Sequence, residues 1–208
     1  MTRMKPIRSA LLVLALSLLS GCGALTAVSS ASEERDAYTL SPAVTPSAPV
    51  AGRGHLVVEL PTSAGALAND RILIKPVAFQ AQYLPDAQWS EPAPALVQTL
   101  LVTSFQNLGG FGLVERTGAG LMPDYTLMTE LQEFHAEPAG PAAAPLNIHV
   151  SAMMTLIRES DQRIIGSHRF ATTALVQTDQ SADIVRGFDR ALQTLLREAV
   201  VWTGAQAR

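Results

Sequence analysis

The sequence predicts an α+β fold: a mixed, largely antiparallel sheet with two amphipathic helices packed on one face, giving a two-layer sandwich. Apolar and polar residues alternate over 124–137 and 147–158, which predicts consecutive strands with one covered face. Apolar residues recur at helical spacing over 91–108 and over 181–202, which predicts two helices with one apolar stripe each. Because a half-apolar sheet and half-apolar helices must bury those surfaces, the two layers should pack together.

The first residues predict an export signal. Residues 1–21 carry a basic start and an apolar run from Ala10 to Leu19, followed by Ser20-Gly21-Cys22. The run is too short for a membrane span, which needs about 20 apolar residues, and it suits a cleaved signal peptide. Small residues before a cysteine are typical of bacterial lipoproteins, so we expect lipid attachment at Cys22. Acyl chains there would hold the protein on a bilayer, at about 0.8 kcal/mol for each buried methylene.

Composition excludes several classes of function. Cys22 is the only cysteine, so once it is acylated no thiol remains for a disulfide, a zinc site or a catalytic nucleophile. The net charge is −3, and cleavage after residue 21 would make the chain still more acidic. A nucleic-acid-binding protein normally has a basic face, so we expect no nucleic-acid partner.

A tether is predicted between the cysteine and the folded domain. Residues 22–54 are mostly small, polar or proline residues, a composition typical of an extended, mobile linker. Within the tether, residues 38–41 are either a short edge strand or more linker. A single domain is predicted for residues 55–208.

Three extended segments open the domain. His55–Leu60 and Arg71–Lys75 are predicted strands, each followed by a proline, which removes a donor from the hydrogen-bond ladder. A third extended segment is predicted for 77–83.

The first helix is predicted to begin at Ser90 as its N-cap, with Glu91 and Pro92 in its first turn and Gly109 at its end. A short buried strand should follow over 111–115.

The C-terminal half is predicted to be a three-stranded meander and a helix. A proline- and alanine-rich loop at 138–145 and a polar turn at 159–162 connect the three strands, the last of which covers 163–173. Short connections of this kind make neighbouring strands antiparallel. Gly187 lies inside the final helix, where it costs about 1 kcal/mol relative to alanine; it would permit close contact between the helix and the sheet.

The residues that could carry chemistry do not form a catalytic pattern. His135, His149 and His168 could meet across the meander at best, and no HExxH motif occurs. We expect His149 and His168 on the face opposite Ile148 and therefore expect no metal site. Other motifs are also missing, since there is no Gly-x-Ser-x-Gly elbow and no phosphate-binding loop with its lysine.

Two carboxylates in the predicted strand over 124–137 could act as a catalytic pair only if they shared a face. Glu130 and Glu133 are three residues apart in a predicted strand, so they should point to opposite faces and cannot act as an acid–base pair. The sequence therefore predicts a protein that is not an enzyme and has no cofactor.

The chain resembles the ABC-type transport auxiliary lipoproteins, whose members include the paraquat-inducible protein C type. The resemblance covers nearly the whole chain after Cys22. It rests on the segments Tyr38-Thr39-Leu40, Leu56 to Pro61, Asp70-Arg71-Ile72, Trp89-Ser90-Glu91-Pro92 and Asp124-Tyr125-Thr126-Leu127, together with the C-terminal helix ending near Trp202. The chain departs from the family pattern in two places. The segment before Arg71 is longer and richer in alanine than expected, and Ala93 stands where a leucine is expected. These departures leave the role of residues 62–70 open.

The resemblance implies a non-catalytic subunit of an ABC-type or MCE-type lipid-transport system. Its partners would be the transporter's MCE-domain and ABC subunits and the outer-membrane bilayer, with homo-oligomer formation left open. Because Gly23, rather than aspartate, follows Cys22, the periplasmic face of the outer membrane is expected rather than the inner membrane. Two alternatives stay open: a periplasmic carrier of lipids or small molecules, and an accessory lipoprotein of outer-membrane assembly or secretion.

The resemblance also implies a set of signature residues that are candidates for interaction. They are Arg71, Trp89, Glu91, Pro92 and Tyr125. For Trp89, two roles are open, a core plug at the start of the helix or part of a partner surface.

Overall fold

The computed structural model describes residues 35–46, 48, 50–118, 120 and 122–207. The predicted signal peptide, Cys22 and the first part of the predicted tether lie outside these residues. The compact domain starts at Asp36.

Within the described residues the domain consists of nine strands, two α-helices and one 3₁₀ turn. The strands are β1 (Asp36–Tyr38), β2 (His55–Val58), β3 (Thr62–Ser63), β4 (Arg71–Ile74), β5 (Gln82–Trp89), β6 (Leu113–Arg116), β7 (Tyr125–Pro138), β8 (Leu146–Arg158) and β9 (Arg163–Val176). The helices are α1 (Ala93–Leu108) and α2 (Ser181–Gln206), and the 3₁₀ turn is Gly65–Leu67.

Strand β7 is the centre of a mixed sheet. On one side it pairs antiparallel with β8, and β8 pairs antiparallel with β9, which confirms the predicted meander. On the other side β2, β3 and β4 follow one another along β7, all parallel to it. Strand β6 extends the sheet beside β2, and β5 and β1 extend it beside β4.

Both helices pack on one face of this sheet, here called the inner face, and the opposite face is called the outer face. The inner face presents apolar side chains such as Leu127 and Ile148, and the helices cover them with Phe105 of α1 and Phe188 of α2; all four are fully buried. This arrangement confirms the predicted α+β two-layer fold. Burial of apolar area is the main favourable term in folding, so the interface between the helices and the sheet contributes most of the stabilising free energy of the domain.

Gly187 lies where α2 comes closest to the sheet. A Cβ at this position would lie 2.4 Å from Cγ2 of Val176 and 2.7 Å from Cγ1 of Ile148. Contacts below 3 Å do not occur at a real Cβ, so the glycine permits the close packing that the sequence predicts.

The junction between β5 and α1 differs from the prediction. The third strand is β5, Gln82–Trp89, rather than residues 77–83, and the N-cap of α1 is Pro92 rather than Ser90. The amide of Ser90 donates to the carbonyl of Tyr38 in β1, and the amide of Trp89 donates to that of Asp70. Long-range pairing therefore extends the strand through the position that local preference assigns to a helix cap. The predicted stop at Gly109 is confirmed, since Gly109 is the C-cap with φ of 76°.

The prediction that Glu130 and Glu133 point to opposite faces is wrong. A β-bulge in β7 lies between Leu131 and Glu133, and it shifts the alternation by one residue. Glu130 and Glu133 therefore both lie on the outer face, while Phe134 returns to the core.

Part of the predicted tether belongs to the domain. Strand β1 pairs with β5, and the residues after it include Leu40 and Ala43, which are buried. The amide of Ala43 donates to Oγ of Ser104 in α1 at 2.9 Å, and the amide of Ser41 donates to Asp189 in α2 at 2.7 Å. This segment thus ties the two helices to each other.

Candidate functional site

Trp89 lies in the core at the end of β5. Its side chain is 1% exposed, and its ring contacts Phe134 of β7 and Phe188 of α2, with ring centroids 5.4 Å and 5.2 Å away. Aromatic pairs at this spacing add to the free energy gained from burial. Of the two roles left open by the sequence, the structure shows the core plug.

Arg71 and Tyr125 also lie within the fold. The guanidinium of Arg71 donates to the carbonyl of Leu84 at 3.2 Å and stacks over the ring of Tyr83, with its Cζ 5.4 Å from the ring centroid. It therefore holds β4 and β5 together. Tyr125 is buried at the start of β7, next to Leu56 of β2.

Glu91 and Pro92 lie at the start of α1. The carboxylate of Glu91 accepts a hydrogen bond from the hydroxyl of Thr99, and Pro92 is the exposed N-cap. Of the five signature residues, Trp89 and Tyr125 are therefore buried, Arg71 and Glu91 are half-buried, and Pro92 is exposed. Cys22, the predicted lipid attachment site, lies outside the described residues.

A polar cluster crosses the outer face at the bulge of β7. Arg169 of β9 donates to Gln132, to Glu133 at 2.9 Å and to Ser151 at 3.1 Å. The hydrogen bond from Ser151, and then the charge of Arg169, lower the pKa of Glu133 below its usual range despite partial burial. The cluster joins the three neighbouring strands β7, β8 and β9 across the outer face, and the carboxylate of Glu133 is ion-paired with Arg169.

Two histidines stack beside this cluster. The rings of His135 and His149 lie nearly parallel with centroids 5.3 Å apart, and Nε2 of His149 lies 3.1 Å from Oε1 of Glu137. Burial lowers the pKa of His135, and the positive charge of Lys75 and the neighbouring His149 lower it further. The surroundings of His135 on the outer face therefore disfavour its protonated form.

His168 lies apart from the other two histidines. The expectation that His149 and His168 share the outer face is wrong for His168, which pairs with the buried Met154 and therefore faces inward. Its ring contacts Phe170 and Trp202. In the described part of the chain, no group of three or more histidine, cysteine, aspartate or glutamate side chains is placed to hold a metal ion.

The outer face also carries an exposed apolar patch, defined here by Leu60, Met128 and Ile164. Their side chains are 57%, 43% and 66% exposed, and they line a groove of about 370 Å³ together with Met153 and Thr155. Large apolar side chains that share one exposed surface mark sites of interaction more often than isolated ones do. The sequence gave no sign that Leu60 and Ile164 lie beside Met128. Leu60 follows β2 and Ile164 lies at the start of β9, and only the pairing of β2 with β7 and of β9 with β8 brings them to this face.

A larger cavity, here called the end cavity, opens at one end of the domain. Its volume is about 670 Å³, within the range of small-molecule sites of about 300–1,000 Å³. It lies between the β4–β5 loop, the β7–β8 hairpin and the start of α2, with Leu84, Ala136 and Ile184 at its buried floor. Sequence reasoning missed it because Val77 was assigned to a strand, whereas it belongs to the loop beside the cavity.

No helix among the described residues is both long and apolar enough to cross a membrane. The family model of the ABC-type transport auxiliary lipoprotein component matches residues 38–200. The chain therefore belongs to this family, which confirms the resemblance seen in the sequence.

Individual relatives are more distant. The chain is 25% identical over 148 residues to the uncharacterized protein bll6063 of Bradyrhizobium diazoefficiens, an alignment that covers 71% of this chain and 39% of that protein. The chain thus spans well under two thirds of that relative. The crystal structure of protein XCC0632 from Xanthomonas campestris is similar in fold, with a TM-score of 0.75 and 24% identity over 82% of this chain and 96% of that one. A crystal structure of another uncharacterized protein has a TM-score of 0.61 and 17% identity, covering 80% of this chain and 97% of that one.

Proposed function

We propose that this protein is a non-catalytic, lipid-anchored periplasmic subunit of a lipid-transport system of the ABC or MCE type. Acylated Cys22 would hold it on the outer membrane, and the folded domain would dock the periplasmic part of the transporter there. Membership of the transport auxiliary family supports the role, and the lipoprotein-type sequence around Cys22 supports the anchor. A tethered domain meets its partner at a raised effective concentration, which suits docking at a membrane.

The outer-face patch of Leu60, Met128 and Ile164 is the observation that carries the docking role. It lies on the face that the helices leave uncovered, where Met128 of β7, Ile164 of β9 and Leu60 after β2 all have exposed side chains. A rigid sheet face holds such side chains in fixed positions, which favours a preformed binding surface. We infer that an MCE-domain subunit of the transporter binds here.

Replacing Met128 with glutamate tests this surface. Met128→Glu should reduce recovery of transporter subunits after crosslinking in intact cells, because it places a charge in an apolar contact. Met122→Glu is the matched control, since Met122 is 90% exposed and lies outside the patch. Unchanged recovery with Met128→Glu would refute the docking surface, and loss of self-association instead would assign the patch to a second copy of this chain.

The anchor is tested separately. Cys22→Ser should abolish labelling with radioactive palmitate and release the protein from membranes. Fractionation of the unaltered protein should place it with the outer membrane; recovery with the inner membrane would correct the location, and sedimentation of Cys22→Ser with labelled palmitate would refute the attachment site.

A further inference from the structure

The loop at the mouth of the end cavity exposes two large apolar side chains. Val77 is 60% exposed, and Phe79 is fully exposed with a positive φ of 66°. A non-glycine residue in this left-handed region is uncommon and carries conformational strain. The left-handed backbone at Phe79 and the exposure of its ring to water are both unfavourable in an isolated domain. An apolar environment around the ring would remove the cost of its exposure, so this loop is suited to such an environment.

The cavity itself suits an aliphatic chain. Its buried floor is formed by Leu84, Ala136 and Ile184, with Ile74 and Leu146 beside them. Asp179 is the one charged residue in the lining of the cavity, whereas Lys75 and Glu137 line the neighbouring groove on the other side of the β4–β5 loop. A single carboxylate at the edge does not attract an anion, so the apolar interior determines what fits.

The domain receives its N-terminal chain at this same end. Asp36, its first residue, pairs with Ala87 of β5, and parallel β1 runs from there away from Leu84. The neighbouring Asp86 accepts a hydrogen bond from Ser181 at the start of α2, which borders the cavity. The chain between Cys22 and Asp36 can span at most about 50 Å when extended, so an anchor at Cys22 limits the distance between the bilayer and the end of the domain at which the chain enters.

We propose that the end of the domain that carries Val77 and Phe79 faces the bilayer, and that the end cavity takes up one acyl chain of a membrane phospholipid. This inference rests on the proposed lipid anchor. Phe79 and Val77 enter the bilayer surface, and the acyl chain passes between them and the β7–β8 hairpin to reach Leu84 and Ile184.

Site-specific photocrosslinking of the full-length chain in living cells tests the proposal. Cells grown with radioactive phosphate, which labels their phospholipids, would carry p-benzoylphenylalanine at Val77, at Phe79 or at the distant, exposed Met122. Val77 and Phe79 should both yield a labelled phospholipid adduct after irradiation, and Met122 should not. Absence of an adduct at Val77 in protein that remains membrane-bound would overturn the proposal.

A cavity-filling variant separates uptake of a chain from contact with the bilayer. Ala142 is exposed in the β7–β8 hairpin and lines the cavity, so Ala142→Trp blocks the cavity without disturbing the core. This variant should lose the adduct at Val77 and keep the one at Phe79; a persistent adduct at Val77 would overturn uptake into the cavity. A crosslink from position 77 to the acylated N-terminal peptide, found by mass spectrometry of the digested protein, would assign the cavity to the protein's own N-terminal acyl group and also overturn it.

The result is independent of partner docking. Transporter recovery should be unchanged in Ala142→Trp, because the cavity lies away from Met128. Failure of the acyl-chain site would then appear as intact docking without adducts. Failure of the proposed function would appear as unchanged docking in Met128→Glu.

Discussion

The ring of Trp89 meets the ring of Phe188 edge-on, with centroids 5.2 Å apart and an interplanar angle of 86°. This contact joins the end of β5 to the N-terminal part of α2, and Phe134 of β7 completes the cluster, 4.8 Å from Phe188. All three rings are fully buried. Trp89, one of the residues on which the family resemblance rests, is therefore a centre of packing between the two layers.

Trp89→Ala should strongly destabilise the domain. Removal of a buried aromatic side chain leaves a cavity and costs about 3–5 kcal/mol of unfolding free energy. Since about 1 kcal/mol shifts the melting temperature of a domain of this size by about 2–4 °C, the fall should be on the order of 10 °C. Thermal unfolding followed by circular dichroism measures it, with the half-buried Trp202→Ala as control. An unchanged melting temperature combined with lost partner binding would instead place Trp89 in an interface.

Gly187→Ala should also destabilise the domain, although alanine favours helices by about 1 kcal/mol over glycine. The new methyl group would overlap Val176 and Ile148, branched side chains held by the sheet, and such overpacking costs about 1–3 kcal/mol. Urea unfolding measures the difference. Gly65→Ala is the control, because a Cβ at Gly65 meets no atom within 4 Å; a Gly187→Ala protein at least as stable as the unaltered one would contradict the close approach.

The stability of the domain should fall as the pH drops below about 6.5, the ordinary pKa of histidine. Because the folded protein lowers the pKa of His135, the unfolded chain binds a proton there first, and protonation favours unfolding. His135→Gln should reduce the loss of stability between pH 7 and pH 5.5, measured by urea unfolding. His168→Gln removes a histidine from the other face and should keep the loss; an identical pH dependence in all three proteins would exclude His135 as its source.

Local patterns were sufficient for the meander and the helices. The alternation in β7 and β8 and the helical stripe of α2 each lie within one continuous segment, so their period identifies them. Gly187 could be interpreted from the same continuous segment. A glycine inside a helix lowers helix stability, so its presence in the apolar stripe indicates a close contact with the neighbouring sheet.

Pairing between distant segments was not predictable in this way. The parallel alignment of β2, β3 and β4 along β7 depends on contacts that no local pattern encodes. The bulge beside Gln132 moves Glu133 to the outer face, and a strict period of two cannot foresee it. The end cavity is formed by three connections that are far apart in sequence, so it emerges only from the assembled fold.

Loss of any single polar side chain considered for catalysis should leave the protein functional in cells. The test set consists of His135→Ala, His149→Ala, His168→Ala, Glu130→Ala and Glu133→Ala. Catalysis depends on one or two groups whose removal costs orders of magnitude in rate. The binding free energy of a docking surface is instead shared among many side chains, and the largest single contributions come from aromatic and arginine residues.

The exposed ion pair of Glu133 and Arg169, with 2.9 Å between its nitrogen and oxygen atoms, should contribute no more than about 1 kcal/mol to the free energy of unfolding.

Complementation of a deletion strain, with protein abundance and transporter recovery measured in parallel, would separate these two kinds of protein. Cys22→Ser serves as the positive control, because a domain without its anchor should fail to complement at normal abundance. A substitution such as Glu133→Ala that removed activity while abundance and transporter recovery stayed normal would show that the side chain acts in chemistry. The non-catalytic role would then have to be abandoned, since both the fold and the docking surface would have survived intact.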